Sequence, residues 1–255
     1  MKIRILGLLL AIFLVTQGAL GEAQSPSEGQ APATIQDAAE TLDLPLLVNN
    51  YAALPEDYKP TKLIKLYDHK RNFKLNTSSI RMEKHVFEAM NEMFKAAKAD
   101  KVSGFIITSG YRSEKDQKKI YKNDKKGVAA KPGHSEHQTG LAFDVTGGGN
   151  ADFSKTKHFK WLKAHCWEYG FILRYPKGKE DITEIPYEPW HYRYVGVEHA
   201  LAIRDMGEDI TLEEYIQALT PQEEVPQEPL PDKLPEESPE VVSDAPPEDA
   251  WAQQS

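Results

Sequence analysis

With one cysteine, Cys166, among 255 residues, the chain can close no internal disulfide. Its stability must therefore come from packing and from any metal it binds. Cys166 lies in a helical-looking stretch, residues 159–167, and reads as a buried structural thiol without a chemical role. Apolar runs long enough to cross a bilayer as a mature helix are missing, and so are a basic stripe or nucleic-acid motif, which excludes nucleic acid as a partner. Serine chemistry lacks its parts as well. There is no Gly-x-Ser-x-Gly elbow, and Ser154 with Lys157 forms a Ser-x-x-Lys match that no Lys-Thr-Gly or Ser-x-Asn follows. The His-Glu-x-x-His helix of many metallopeptidases is also missing.

What is present divides the chain into four parts. Lys2 and Arg4 precede an apolar run at residues 5–15, followed by Gly18, Ala19, Gly21 and Ala23. That order is the order of a secretory signal peptide, so residues 1–23 are expected to direct export and be cut near Gly21 or Ala23. Left uncleaved, they form a short membrane tether. Residues 24–40, rich in Gln, Ser, Pro and Ala, read as a linker. Residues 221–255 hold eight prolines and ten acidic residues against one lysine, so this tail carries the whole negative balance of a chain whose net charge is −8. It buries too little apolar surface to offset the entropy of ordering and is expected to be a disordered, solvated spacer. The folded body is residues 41–220, long enough for one sizeable core.

Periodicity within the body alternates. Val86, Met90, Met93, Phe94 and Ala97 recur at helical spacing and predict an amphipathic helix over residues 80–99, its Met and aromatic stripe forming core. Residues 104–108 suit a buried strand turning at Ser109 and Gly110, and Ser113 suits the cap of a helix reaching Tyr121. Leu141, Phe143 and Val145 alternate with Ala142 and Asp144, so on a strand the bulky side chains anchor in the core while Asp144 faces a cleft beside a small residue. A helix over residues 157–169 stopped by Gly170, strands at 171–173 and 190–195, and a capping box at Thr211 opening the last helix complete the reading. The class is α+β: a small central antiparallel or mixed sheet flanked by helices, with the site in a cleft.

The chemistry concentrates in Ser135-Glu136-His137-Gln138-Thr139-Gly140-Leu141-Ala142-Phe143-Asp144, answered 44 residues later by Glu188-Pro189-Trp190-His191. Two imidazoles and a carboxylate supply three metal ligands, and a further carboxylate stands by to handle protons, which is the inventory of a catalytic zinc with one open position. The pattern Ser-x-His-x-x-Gly-x-Ala-x-Asp followed by Glu-x-x-His resembles the VanY-type D-alanyl-D-alanine carboxypeptidases, zinc metallopeptidases related to the D-Ala-D-Ala dipeptidases. The resemblance extends to Leu47-Val48-Asn49, Leu54-Pro55, Ser109-Gly110-Tyr111-Arg112-Ser113 with Gln117, Tyr169-Gly170-Phe171 and Arg174-Tyr175-Pro176. It leaves out the linkers and the acidic tail.

Residue by residue, the resemblance implies one zinc per chain on His137, Asp144 and His191, with Glu188 as general base toward zinc-bound water. Arg112 is implied to polarise the scissile carbonyl and stabilise its oxyanion. Ser135 and Gln117 are either donors to the substrate's terminal residue or structural, and Trp190 either walls the pocket or packs in the core. His134 competes with His137 as a ligand, and the motif spacing favours His137. His69, His85, His158, His165 and His199 have no ligand partner at a defensible spacing and read as surface or satisfied core residues. The function implied is an exported zinc carboxypeptidase that trims terminal D-alanine from peptidoglycan stem peptides or their precursors. L,D-cleavage of tetrapeptide stems and a non-catalytic peptidoglycan-binding module are the alternatives.

Overall fold

The computed structural model describes residues 44–125, 127, 129–149 and 152–220. The expected signal peptide, linker and acidic tail lie outside the described residues. A five-stranded mixed sheet organises the rest: β2 (Lys74–Leu75), β4 (Ile106–Ser109), β5 (Ala142–Thr146), β7 (His191–Tyr194) and β6 (Phe171–Leu173), in that spatial order. Only β2 and β4 run parallel; the remaining pairs are antiparallel. A separate two-stranded ribbon joins β1 (Leu63–Lys65) to β3 (Arg81–Glu83). The architecture is the expected α+β arrangement.

Helix α1 (Lys84–Ala99) buries Val86, Phe87, Met90, Met93, Phe94 and Ala97 along one stripe. It begins later than the periodicity predicts, because residues 81–83 extend to pair with β1 and Glu83 takes an extended N-cap conformation. Phe143 and Val145 project from β5 into the same core, as the alternation predicts, with Leu141 packed at its margin. The Phe143 ring contacts Phe94, Phe171 and Tyr192. Cys166 is buried here as well, and burial pushes its thiol up to about 12, so it is protonated and inert.

Helix α2 (Glu114–Asn123) starts at Ser113, whose side chain accepts from the Asp116 amide. The expected helix over residues 157–169 divides into α3 (Lys157–His165) and a 3-10 turn over Cys166–Tyr169, because His165 leaves helical geometry at φ −130°. A short α4 (Glu180–Thr183) follows β6, and α5 (Val197–Met206) follows β7. Helix α6 (Leu212–Leu219) opens on the expected capping box, with both Thr211–Glu214 bonds formed. A second apolar cluster joins Ile172, Ala200, Ile203, Leu212, Tyr215 and Ile216 to Leu47 and Ala52 of the amino-terminal segment. Neighbouring residues Phe171 and Ile172 enter different clusters, so β6 is packed on both faces. No helix among the described residues is long and apolar enough to cross a membrane.

Candidate metal centre

Strand pairing does most of the assembly. Asp144 of β5 stands in register with His191 of β7 on one side and with Ser109 of β4 on the other, beside a register shift in β4. The loop after β4 then turns sharply at Gly110, where a Cβ would lie 2.5 Å from the Arg81 carbonyl oxygen, so no larger residue fits without moving the backbone. His137 occupies a buried 3-10 turn, Glu136–Thr139. That turn closes at Gly140 with φ 75°, a conformation glycine adopts without steric cost. Two bonds strap it to the β4 loop: His137 donates from Nδ1 to the Gly110 carbonyl at 2.9 Å, and the Arg112 amide donates to the His137 carbonyl at 2.9 Å.

The donors converge. One ligand atom each from His137, Asp144 and His191 lies within 4.8 Å of the others, the group among the described residues able to hold a metal ion. With Nδ1 of His137 engaged, its Nε2 faces Asp144 Oδ2 at 3.3 Å. His191 is oriented the other way: Nε2 donates to Glu136 Oε2 at 3.2 Å, leaving Nδ1 toward Asp144 Oδ1 at 3.0 Å. Each ring thus spends one nitrogen on an outer acceptor and aims the other at a shared point, the arrangement that fixes tautomer and lone-pair direction in histidine metal ligands. Two nitrogens and a carboxylate oxygen fit the three protein ligands of a catalytic zinc.

Charge at the site points the same way. Burial alone raises the Asp144 carboxyl, but His137 and His191 outweigh it and hold the group far below the usual carboxylate range. Burial alone lowers His191, yet hydrogen bonds to Asp144 and Glu136 bring it up to about 9. His137 moves down, because burial dominates and the positive charges of His191 and Arg112 oppose Asp144. A carboxylate held ionised between two imidazoles favours a cation at the point the three donors share.

The expected accessory residues take distinct places. Glu188 lies beside the ligands, its Oε2 3.7 Å from His191 Nδ1, with its amide donating to the Tyr175 carbonyl at 3.1 Å. Burial raises its carboxyl, Asp144 and Glu136 push the same way, and His191 and Arg112 oppose. Arg112 donates from Nη1 to Gln117 Oε1 at 2.7 Å, and the charges of Asp144 and Glu188 oppose the lowering that burial causes. Gln117 is 1% exposed and gives its amide nitrogen to the Ala130 carbonyl at 2.6 Å, so both ends of its side chain are engaged within the protein. Ser135 is buried at the start of the His137 turn. Trp190, next to a ligand, is 41% exposed. His134 donates from its ring to the Asn49 carbonyl at 2.7 Å, away from the ligand cluster.

Glu136, Arg174, Arg193 and Glu213 have a part in the site to which the sequence alone assigns no role. Glu136 is fully buried, and Arg174 and Arg193 surround it. The available signal was a lone arginine beside or within each of two apolar, aromatic strands, a position that demands a buried counter-charge.

The profile of the VanY family, D-alanyl-D-alanine carboxypeptidase, matches residues 79–197. YodJ of Bacillus subtilis, a protein named as a carboxypeptidase, is 40% identical over 198 residues, covering 71% of each chain. The chain belongs to the VanY family. Like its VanY relatives, it is a zinc-dependent carboxypeptidase. Among solved structures, the LdcB LD-carboxypeptidase aligns with a TM-score of 0.59 at 40% identity, over 67% of this chain and 84% of that one. The vancomycin resistance D,D-pentapeptidase VanY, determined with Zn(II), aligns with a TM-score of 0.56 at 33% identity, over 67% of this chain and 97% of that one. The VanY fold and its zinc are thus shared by this chain, whose His137, Asp144 and His191 form a group able to hold the metal.

Proposed function

We propose that this VanY-family enzyme is exported and removes the terminal D-alanine from peptidoglycan stem peptides by cleaving the D,D bond. The observation that carries the reading is the convergence of His137, Asp144 and His191 with Glu188 and Arg112 at its edge. Zinc bound there supplies a Lewis acid and lowers the pKa of a water to roughly 7. Glu188 accepts the proton released on attack and returns it to the leaving amine, its carboxylate close to the ligands without being one of them. Arg112 places a fixed positive charge where the carbonyl oxygen becomes negative. Gln117 bonds that guanidinium, and Ser135 and the exposed Trp190 are the residues we assign to contacts with the substrate's terminal residue.

Removing the Arg112 side chain should lower kcat by about 10²- to 10³-fold with zinc retained. Gln117→Ala should cost less, because the charge remains and only its aim is loosened. Steady-state kinetics of both variants beside metal analysis test this, and an Arg112→Ala enzyme with unchanged kcat would remove Arg112 from the mechanism.

Export is supported by Lys2, Arg4 and the apolar residues 5–15, and by the wall location of the substrate. L,D-cleavage stands as the second reading, favoured by the 40% identity to the LdcB LD-carboxypeptidase. Incubation with pentapeptide and tetrapeptide stems, read by mass spectrometry, separates the two. The D,D reading expects the pentapeptide to lose a single alanine and the tetrapeptide to persist; consumption of the tetrapeptide alone would replace it. Amino-terminal sequencing of the protein recovered outside the cell should begin after residue 21 or 23, and a chain starting at Met1 inside the cell would contradict export.

A further inference from the structure

Behind the metal ligands lies a buried set of charges that reaches both ends of the described chain. Glu136 Oε1 accepts from Arg174 Nε at 2.7 Å and from Arg193 Nη1 at 2.8 Å, while its Oε2 accepts from His191 Nε2 at 3.2 Å. Arg174 turns its remaining nitrogens onto Glu213 of α6 at 2.8 and 2.6 Å, a two-pronged pairing. Glu213 also accepts from Asn49 Nδ2 at 3.0 Å, and Arg193 Nη2 donates to the Leu46 carbonyl at 2.6 Å. Two carboxylates and two guanidiniums balance, and Glu213, 14% exposed, is the one member that touches solvent.

We propose that Glu213 is a positioning residue for the zinc centre: by fixing Arg174 it fixes Glu136, and through Glu136 the ring orientation of His191. Helix α6 and the amino-terminal segment around residues 46–49 are then working parts of the metal site. The proposal rests on His191 being a zinc ligand.

Three features support it. A carboxylate with donors on both oxygens cannot rotate, so Glu136 presents Oε2 in one direction, and the Tyr175 ring, 4.9 Å from the His191 ring, flanks the same ligand. Buried ion arrays give little net stability over apolar residues of the same volume, so stability alone is a weak reason for four charges in this place. An apolar replacement could not supply the acceptor that sets the His191 tautomer. The links are direct hydrogen bonds at every step, so a change at Glu213 reaches His191 through two intermediates.

The test uses the full chain loaded with zinc, for affinity by chelator competition, and with cobalt(II), for the visible absorption bands that report ligand geometry. Glu213→Gln and Glu213→Ala are expected to weaken zinc binding about tenfold, the lower end of the effect of losing a ligand's outer partner, and to shift the cobalt spectrum. Glu214→Ala is the control: it breaks the capping box of the same helix, and the lost bonds run to Thr211 and Lys179 and not to Arg174. It should lower the Tm while leaving the cobalt spectrum and zinc affinity unchanged. Folded Glu213 variants with wild-type zinc affinity and spectrum would overturn the proposal, and so would a Glu214→Ala protein that loses zinc equally. If those variants fail to fold, Glu213→Asp keeps the charge but shortens the reach to Arg174 and carries the same decision: a shifted cobalt spectrum supports the relay, and an unshifted one overturns it. A His191→Ala protein that kept zinc with an unshifted cobalt spectrum would instead remove His191 from the ligand set, a separate failure.

Discussion

Glu188→Ala is expected to lower kcat by about 10²- to 10⁴-fold while the protein keeps one zinc per chain. The two effects separate because Glu188 stands next to the ligand cluster and outside it, 3.7 Å from His191 Nδ1. Its position is set by backbone: the Glu188 amide bonds to the Tyr175 carbonyl, and the His191 amide bonds back to the Glu188 carbonyl. Truncating the side chain leaves that turn intact, so the ligands should hold their geometry while the proton acceptor is lost. Metal analysis beside turnover of a pentapeptide stem measures both. Full activity in the variant would show that another group handles the proton.

His137→Ala should lose zinc and hydrolysis together. The centre has three protein donors, and removing one leaves Asp144 and His191 to hold the cation across a gap once filled by a buried ring. The loss should exceed the roughly 10- to 100-fold that removal of an outer hydrogen-bond partner costs, because a coordinate bond itself disappears. Stability supplies an independent readout. A site at 100 times its Kd in free zinc stabilises the native protein by about 2.7 kcal/mol, so the wild type should melt measurably higher with zinc than with chelator. The variant should melt at one temperature in both. A variant that still took up one tightly held zinc would mean that His137 is not a ligand.

Much of this site could be read from the residues alone, and the reason is local. The bulky-small alternation of residues 141–145 states which face Asp144 takes, whatever the partner strands. Caps such as Ser113 and the Thr211–Glu214 box are likewise complete within four residues. The unread parts are those whose meaning lies elsewhere in the chain. Strands β1, β2 and β3 span two or three residues each, too short to show a period, and exist because a partner is there to bond them. Glu136 fills a variable place in the motif, and its role depends on arginines 38 and 57 residues away. Gln117 sits among charged neighbours with no apolar stripe to signal burial, and only Arg112 and Ala130 explain why it is inside.

The pairing of β5 with β7 sets an order of events during synthesis. Asp144 and His191 are register partners 47 residues apart, so a chain leaving the ribosome amino end first carries only His137 and Asp144 until β7 emerges. The final donor arrives together with the strand that joins β6 to the rest of the sheet. A chain short of that strand holds two of the three donors, so the cage for the cation is finished only once β7 has closed the sheet.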